Sequence, residues 1–295
     1  QITNNTQVTQ GKPPVSGADG PPGYMHVDYH AVMYHPQDHN VMVFANDGGV
    51  FVSEDGGITF ESRNGGLQTA QFYNGVSVAQ FDSNKIFGGL QDNNSVLFDG
   101  DKAWTRTLAG DGSWSSIHPV DQSIIGSLQF MTVYRTNNDG DRWNLVLSTN
   151  QGDEACFISP VVRSESDPEI MYAGCSRIYK SPDGGRTWNP TNRSLPINAN
   201  DPALSLAISP IDPNLVICGL APYSGSSSLW RSFDGGLNWQ QMGQSQLPNR
   251  YPTDLIIHPK DDAIMYACFS GYHSGHVFRS EDYGENWQDI TGSLP

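Results

Sequence analysis

The chain has 295 residues, and 16 Lys and Arg against 31 Asp and Glu give it a formal net charge of −15. We therefore expect no nucleic-acid partner, because nucleic acids and anionic membranes are held largely by positive charge. No stretch approaches the roughly 20 apolar residues of a membrane-spanning helix, so we also expect no transmembrane segment.

Residues 1–29 precede the first complete sequence unit and end in a group of candidate metal ligands. His26, Asp28 and His30 alternate along the chain, so on a strand their side chains would share one side. Two imidazoles and a carboxylate suit zinc or a similar ion. The alternative is that these side chains bond neighbouring backbone where the chain enters the first unit. No other cofactor is expected.

One short pattern, Ser-x-Asp-Gly-Gly-x-Thr-aromatic, recurs along the chain. The copies, some of them incomplete, are residues 53–60, 99–104, 136–143, 181–188, 232–239 and 280–287. An Asp that begins a tight turn accepts bonds from backbone N–H groups ahead of it, and Gly supplies the positive φ that the turn needs. We therefore assign Asp55, Asp183, Asp234 and Asp282 to structure rather than to chemistry.

A second landmark precedes these turns by roughly 20 residues and sets the period of the repeat. It is a proline at positions 119, 160, 210 and 259, spaced 41, 50 and 49 residues apart. Between the landmarks lie apolar runs of four to six residues bounded by Gly, Pro, Asn and Asp, which predict strands and almost no helix. This period is typical of propeller blades, so we predict an all-β, six- or seven-bladed β-propeller with Asp-box turns.

The pattern resembles the Asp-box (BNR) repeat of sialidases, sortilin-type receptors, photosystem assembly propellers and xyloglucanase-type glycoside hydrolases. The resemblance covers residues 30–295 and implies one propeller domain with six recognisable blades. Residues 1–29 are left as a segment that closes the ring, supplies part of a seventh blade or runs along the surface. Because the family includes enzymes and non-catalytic binders, the resemblance does not decide function.

In a four-stranded blade with strands A to D, we place the boxes at the C–D turns. The B–C loops and D–A links then gather on the opposite, ligand-binding face. Its candidate ligand-binding residues are Gln91, Trp114, Arg177, Tyr223, Arg250, Tyr251 and Tyr272. Aromatic rings with amides and carboxylates suit a sugar, and Tyr, Trp and Arg also suit a protein partner.

Three carboxylates are candidate catalytic groups. Residues 44–50 resemble the Thr-Asp-Ile-Gly-Gly segment of xyloglucanase-type hydrolases, and this resemblance implies a catalytic role for Asp47. Asp111 is the natural second carboxylate, with Asp92 as a substitute. Glycoside hydrolysis needs two such groups, about 5 Å apart for retention or about 6.5 to 9.5 Å for inversion.

The leading interpretation is a non-catalytic recognition propeller that holds a glycan or a protein, either alone or as part of a longer chain or assembly. The alternative is a glycoside hydrolase of the xyloglucanase type acting on a β-glucan-like polysaccharide. Low charge content and the sequons at Asn4, Asn93 and Asn192 favour a secreted or cell-surface protein. Whether Cys156 and Cys175 form a disulfide is left open.

Overall fold

The computed structural model describes residues 25–67, 70–100, 104–149, 153–191, 201–223 and 225–294. Within these residues the regular structure is 24 strands and a single 3₁₀ turn, Gln129–Met131. The strands form six four-stranded sheets in which sequential strands are neighbours. This arrangement confirms the prediction of an all-β propeller with almost no helix, and six blades are present in the described chain.

The strands of each sheet follow the order of the sequence, with antiparallel registers. The first sheet contains β1 (Tyr29–Tyr34), β2 (Met42–Asn46), β3 (Gly49–Ser53) and β4 (Glu61–Ser62). The second contains β5 (Phe72–Ala79), β6 (Asp82–Leu90), β7 (Ser95–Phe98) and β8 (Thr105–Leu108). The third contains β9 (Ser115–Ile117), β10 (Ile124–Leu128), β11 (Thr132–Thr136) and β12 (Asn144–Leu147).

The remaining three sheets repeat this arrangement. The fourth contains β13 (Val161–Arg163), β14 (Met171–Gly174), β15 (Ile178–Ser181) and β16 (Asn189–Pro190). The fifth contains β17 (Ala203–Ile208), β18 (Val216–Leu220), β19 (Ser228–Ser232) and β20 (Gln240–Met242). The sixth contains β21 (Pro252–Ile257), β22 (Met265–Phe269), β23 (Val277–Ser280) and β24 (Gln288–Asp289).

The chain divides into two compact units. The first comprises the residues up to Leu128 together with Thr136–Asn144, and the second comprises Gln129–Arg135 and the residues from Leu145 onward. The first unit has a core around Phe44, Phe51 and Phe60. The second has larger cores, in which strands such as β18 are buried along their whole length because apolar side chains cover both of their faces.

Every Asp-box lies between the third and fourth strands of its sheet, as predicted. In the first box, Asp55 Oδ1 accepts the N–H groups of Ile58 and Thr59 at 3.0 and 2.8 Å, and Oδ2 accepts the Thr59 hydroxyl at 2.6 Å. These bonds, led by those from Thr59, lower the pKa of Asp55 to about 2. The carboxylate therefore stabilises its own turn.

The glycines of the box supply a left-handed backbone. Gly56 and Gly57 have φ of 74° and 90°. In the sixth sheet Tyr283 stands where the other complete boxes have Gly, and it adopts φ 60°. The turn therefore imposes its conformation even on a side chain that disfavours it.

Three further expectations concern the N-terminal segment, the cysteines and membrane-spanning helices. Residues 1–29 were predicted to close the ring, supply part of a seventh blade or run along the surface; residues 1–24 of this segment lie outside the described residues, so its role stays a prediction. Cys156 and Cys175 are free thiols. No helix among the described residues is long and apolar enough to cross a bilayer.

Candidate functional site

The three predicted carboxylates lie on connections of the first two sheets. Asp47 occupies the turn between β2 and β3, Asp92 the loop between β6 and β7, and Asp111 the link between β8 and β9. Asp92 and Asp111 share a hydrogen bond between their carboxyl groups, and the charge of Asp47 also acts on Asp92. The fold therefore brings the three acids together, and we call them the acid cluster.

Two hydrogen bonds from backbone N–H groups join the loops that carry Asp92 and Asp111. Gly112 N–H donates to the Leu90 carbonyl at 3.0 Å, and Gly110 N–H donates to Asn94 Oδ1 at 3.4 Å. These bonds flank Asp111 on both sides. The pairing of the two acids is therefore built into the backbone, because the chain on each side of Asp111 is fixed to the Asp92 loop.

Within the acid cluster, Asp92 holds its proton to a higher pH than an ordinary carboxyl group. Partial burial and the neighbouring charges of Asp111 and Asp47 raise the pKa of Asp92 above its usual value. Tyr73, the second residue of β5, donates its hydroxyl to Asp111 Oδ2 at 3.5 Å, and burial followed by the charge of Asp111 raises the Tyr73 pKa. Close carboxyl groups with one proton between them can act as an acid beside a base.

Asp47 differs from the other two acids because its carboxylate contacts a histidine. The His30 Nε2 atom contacts Asp47 Oδ1, and this bond raises the pKa of the exposed His30 ring. The Asp47 carbonyl accepts the Asn93 side-chain amide at 3.1 Å, which ties the turn to the Asp92 loop. The backbone of Asp47 is therefore structural, and its carboxylate remains partly exposed.

The predicted metal site of His26, Asp28 and His30 is not assembled. His26 is buried, and its ring nitrogens lie 2.8 Å and 2.6 Å from the carbonyl oxygens of Val27 and Asp92. Asp28 has φ 62° and precedes the first strand, so the three side chains do not alternate on one strand. No group of three His, Cys, Asp or Glu within the described ranges is placed to hold a metal. The backbone-bonding alternative describes His26.

In the second unit, predicted ligand-binding residues line an open groove of about 450 Å³. Its lining includes Tyr223, Arg250 and Tyr251. The remaining lining residues are Pro222, Gly225, Ser227, Asn249, Ser270 and Gly271. The groove lies where the B–C loop of the fifth sheet, the link into the sixth and the B–C loop of the sixth meet, so three loops contribute to one site.

Hydrogen bonds fix the groove but leave its aromatic faces open. The Tyr251 hydroxyl donates to the Pro222 carbonyl at 3.3 Å, and Arg250 donates to the carbonyls of Asn249 and Tyr272 at 2.9 and 3.3 Å. Tyr223 is 72% exposed and Tyr272 is 81% exposed. Large rings this exposed are free to contact a ligand. Tyr223, Arg250 and Tyr251 line the groove, and Tyr272 follows the lining residue Gly271. We call these four residues the tyrosine groove.

Arg177, Gln91 and Trp114, like Tyr272, are not among the residues that line this groove. Arg177 donates from Nε to Asp153 Oδ1 at 2.7 Å, so its charge is balanced within the protein. Gln91 and Trp114 belong to the first unit, where Gln91 N–H bonds the Gln71 carbonyl and the Trp114 carbonyl accepts Ser127 N–H. The indole N–H of Trp114 is buried. Their binding roles stay predictions.

Tyr73 is a residue of the acid cluster that sequence reasoning missed. It lies in β5, which begins one residue earlier at Phe72. Its one signal is position, since the first residues of an innermost strand lie beside the link that carries the next acid. That signal does not distinguish Tyr73 from the aromatic residue that precedes it.

Comparison with known proteins agrees with this architecture. Residues 277–290 match the family model described as BNR-Asp box repeat. A xyloglucanase of Hypocrea jecorina (strain QM6a) is 25% identical over 200 residues, which cover 54% of this chain and 23% of the relative. The chain thus spans about a quarter of the length of that curated relative.

Solved structures with the same fold include an enzyme and a peptide binder. An ancestral GH74 enzyme superposes with a TM-score of 0.60 at 20% identity, covering 90% of this chain and 39% of the enzyme. YCF48 bound to D1 peptide superposes with a TM-score of 0.52 at 16% identity, covering 91% of this chain and 88% of YCF48. The chain is therefore an Asp-box (BNR) repeat β-propeller that resembles xyloglucanases in sequence and GH74 enzymes in fold.

Proposed function

We propose that this chain is a recognition propeller that binds a polysaccharide of the β-glucan class at the tyrosine groove. The observation that carries the proposal is the convergence of Tyr223, Arg250 and Tyr251 from two loops on one groove, beside the exposed Tyr272 on a third loop that also lines it. The exposed rings of Tyr223 and Tyr272 offer flat apolar faces, on which the C–H face of a pyranose stacks. Backbone and amide groups of the same loops surround these rings and are suited to sugar hydroxyls.

The charges at the groove also support an uncharged or weakly charged ligand. Arg250 bonds only backbone carbonyls in the part of the chain that the structure describes, and it forms no ion pair there. The carboxylate of Glu154 acts on Tyr223 and helps to raise the pKa of that hydroxyl, after partial burial and Cys156. One cation and one anion near the groove favour neither a polyanion nor a polycation.

The similarity to a xyloglucanase supports a glucan rather than another sugar polymer. Because the matched stretch is about a quarter of that relative, the relative's activity carries over only as part of this proposal. Export to the cell surface or medium, and membership of a longer protein, are proposed on the same basis. A protein ligand is the competing outcome, since YCF48 with the same fold binds a peptide.

Affinity gel electrophoresis tests the proposal across many polymers. The chain is run through gels that contain xyloglucan, mixed-linkage β-glucan, xylan or no polysaccharide, beside Tyr223→Ala and Tyr34→Ala. Tyr34 is a matched control because it is 60% exposed and lies in the other unit. We expect xyloglucan or β-glucan to retard the wild type and Tyr34→Ala, but not Tyr223→Ala. Equal mobility in every gel would contradict glycan recognition.

The acid cluster favours glycoside hydrolysis as a second candidate function. Asp92 retains its proton to a higher pH than an ordinary carboxyl and contacts Asp111, so one group is suited to donate a proton while another is suited to act as a base. Asp47 lies within electrostatic reach as a third carboxylate. Glycoside hydrolysis requires an acid and a base about 5 Å or more apart, and carboxyl groups that share a hydrogen bond are closer than that, so Asp47 rather than Asp111 would be the partner of Asp92.

Release of reducing ends from xyloglucan tests this second function. Hydrolysis by the wild type that falls at least about a hundredfold in Asp92→Asn or Asp47→Asn would establish it, because removing a general acid or base typically costs that much. Asp121→Asn is the control, since that carboxylate caps a distant turn through Ser123. No release by the wild type would leave recognition as the function.

A further inference from the structure

An exposed pair of phenylalanines lies outside the tyrosine groove and was not predicted as a site. Phe130 is 55% exposed and Phe157 is 45% exposed, and their rings contact edge to face with centroids 5.4 Å apart. Phe130 lies in the B–C loop of the third sheet and Phe157 in the link into the fourth, so both are on the loop classes that form the groove. Two large apolar rings exposed side by side are available for contact with a ligand.

The backbone holds Phe130 outward against its own preference. Phe130 has φ 54° and ψ 41°, and Met131 has φ 54°, a left-handed conformation that bulky residues rarely adopt. Met131 is fully buried beneath this turn. Phe130 N–H donates to the Phe157 carbonyl at 3.1 Å, and Thr149 Oγ1 donates to the Phe130 carbonyl at 2.9 Å. Strain maintained by several bonds often marks a functional position.

A continuous series of hydrogen bonds joins this pair to the tyrosine groove. Three residues before Phe157, the Glu154 carbonyl accepts Ser176 N–H at 2.7 Å. The next loops continue the series: Ala203 N–H donates to the Cys175 carbonyl, and Ala221 N–H donates to the Pro202 carbonyl. The Tyr251 hydroxyl then donates to the Pro222 carbonyl. The successive B–C loops and D–A links of the second unit therefore lie side by side from the third sheet to the sixth.

The loops that carry the phenylalanine pair also lie near the tyrosine groove. Tyr223 lies within electrostatic reach of Cys156, the residue before Phe157. The Phe130–Phe157 pair and the tyrosine groove are thus neighbours along one row of loops in one unit. Spaced aromatic rings along a row suit a linear chain of sugars better than a single sugar, since each ring can stack on a different unit.

We propose that the Phe130–Phe157 pair is a second stacking position for the same polysaccharide chain that occupies the tyrosine groove. The inference rests on the proposed function and extends it, because it requires an oligomeric ligand long enough to reach both positions. A short oligosaccharide would occupy the groove alone. A longer one would contact both aromatic groups and bind more tightly, since its second contact adds no further loss of translational freedom.

Calorimetric titration with cello-oligosaccharides of two, four and six glucose units, and with xyloglucan oligosaccharides of one and two repeats, tests the inference. We expect the wild-type affinity to rise with length. Phe157→Ala should bind the longest ligand with roughly fivefold to tenfold lower affinity, the scale of one aromatic stacking contact. Its affinity for the shortest ligand should be almost unchanged. Phe157→Tyr, which keeps the ring, should bind every length as the wild type does.

Phe233→Ala is the matched control. Phe233 is 49% exposed, and the centroid of its ring is 5.6 Å from that of Tyr283. It lies on an Asp-box turn rather than on a B–C loop or D–A link. Length-independent loss in Phe157→Ala, or no loss at any length while Tyr223→Ala abolishes binding, would overturn the inference and leave the proposed function standing. Absence of binding by the wild type to every oligosaccharide would overturn both. Unchanged binding of the shortest ligand reports that Phe157→Ala has folded.

Discussion

Asp92 and Asp111 come from two different connections of the second sheet, and their carboxyl groups share a hydrogen bond. Asp92 itself adopts a left-handed backbone with φ 57°, and its carbonyl is 2.6 Å from the buried His26 ring. The backbone of Asp92 is therefore held by the buried His26 ring, while the Asp92 carboxyl group faces that of Asp111. This arrangement places like charges together, and it leads to a prediction about stability.

Replacing Asp92 with Asn should stabilise the protein at neutral pH. Because the folded-state pKa of Asp92 is raised, its contribution to stability is present at low pH and is lost as the pH rises through that value. Solvent screens partly exposed charges, so we expect a gain of up to about 1 kcal/mol at pH 7. Urea unfolding of the wild type and of Asp92→Asn at pH 7 and at pH 3 measures this difference in the free energy of unfolding.

The difference between the two pH values is the informative quantity. Asn tolerates a left-handed backbone better than most residues, and that benefit is the same at both pH values. A gain at pH 7 that disappears at pH 3 supports a shared proton. An identical gain at both would attribute the effect to backbone preference alone.

The Asp-box carboxylates should lose their stabilising effect in acid. Asp282 Oδ1 accepts Asn286 N–H at 2.8 Å, and the bonds from Asn286 are the main cause of its lowered pKa. A lowered carboxyl pKa stabilises the fold above the unfolded value of about 4, and the effect is lost as the pH falls through the folded value. Asp282→Ala should cost about 1 to 3 kcal/mol at pH 7 and progressively less below pH 4. A cost that does not change with pH would contradict this account.

The indole of Trp287 should be a major contributor to the stability of the sixth sheet. The side chain is 8% exposed, its Nε1 donates to the Gly284 carbonyl at 3.0 Å, and Met242 packs in the same core. Trp287→Ala should cost about 3 to 5 kcal/mol. Trp188 and Trp239 are less buried, so the same change there should cost less. Equal losses of stability in the three variants, measured by thermal unfolding, would show that burial of the indole does not determine the cost.

Asp47 should tolerate Asn although its turn is structural. The carboxylate contacts the exposed His30 ring, and surface pairs of this kind contribute little to stability. Its backbone carbonyl, which holds Asn93, is unchanged by the substitution. Differential scanning calorimetry should therefore detect a larger loss in Asn93→Ala than in Asp47→Asn. The reverse order would make the carboxylate itself part of the turn.

Local sequence predicted the features that depend on neighbouring residues. The position of every box turn follows from Asp, Gly and Thr within a few residues, because the carboxylate bonds to its own turn. The placement of Tyr223, Arg250 and Tyr251 near each other follows from the blade period, which aligns equivalent loops.

Features that depend on long-range distances were not predictable in the same way. His26 was a candidate metal ligand because it alternates with Asp28 and His30 along the sequence, but its ring bonds the carbonyls of Val27 and of Asp92, the latter from another sheet. Phe130 and Phe157 carry no motif, and the left-handed backbone that displays Phe130 is not signalled by a glycine. Such features depend on how loops from separate blades meet.

Equilibrium calorimetric titration of a xyloglucan oligosaccharide into the wild type and into the double variant Tyr223→Ala/Tyr272→Ala tests the central claim most directly. Both rings are largely exposed, so their removal should leave the melting temperature almost unchanged. We predict saturable binding by the wild type and at least about a tenfold weaker affinity in the double variant. Equal affinity in both proteins, or no binding by the wild type, would contradict recognition of a polysaccharide at the tyrosine groove.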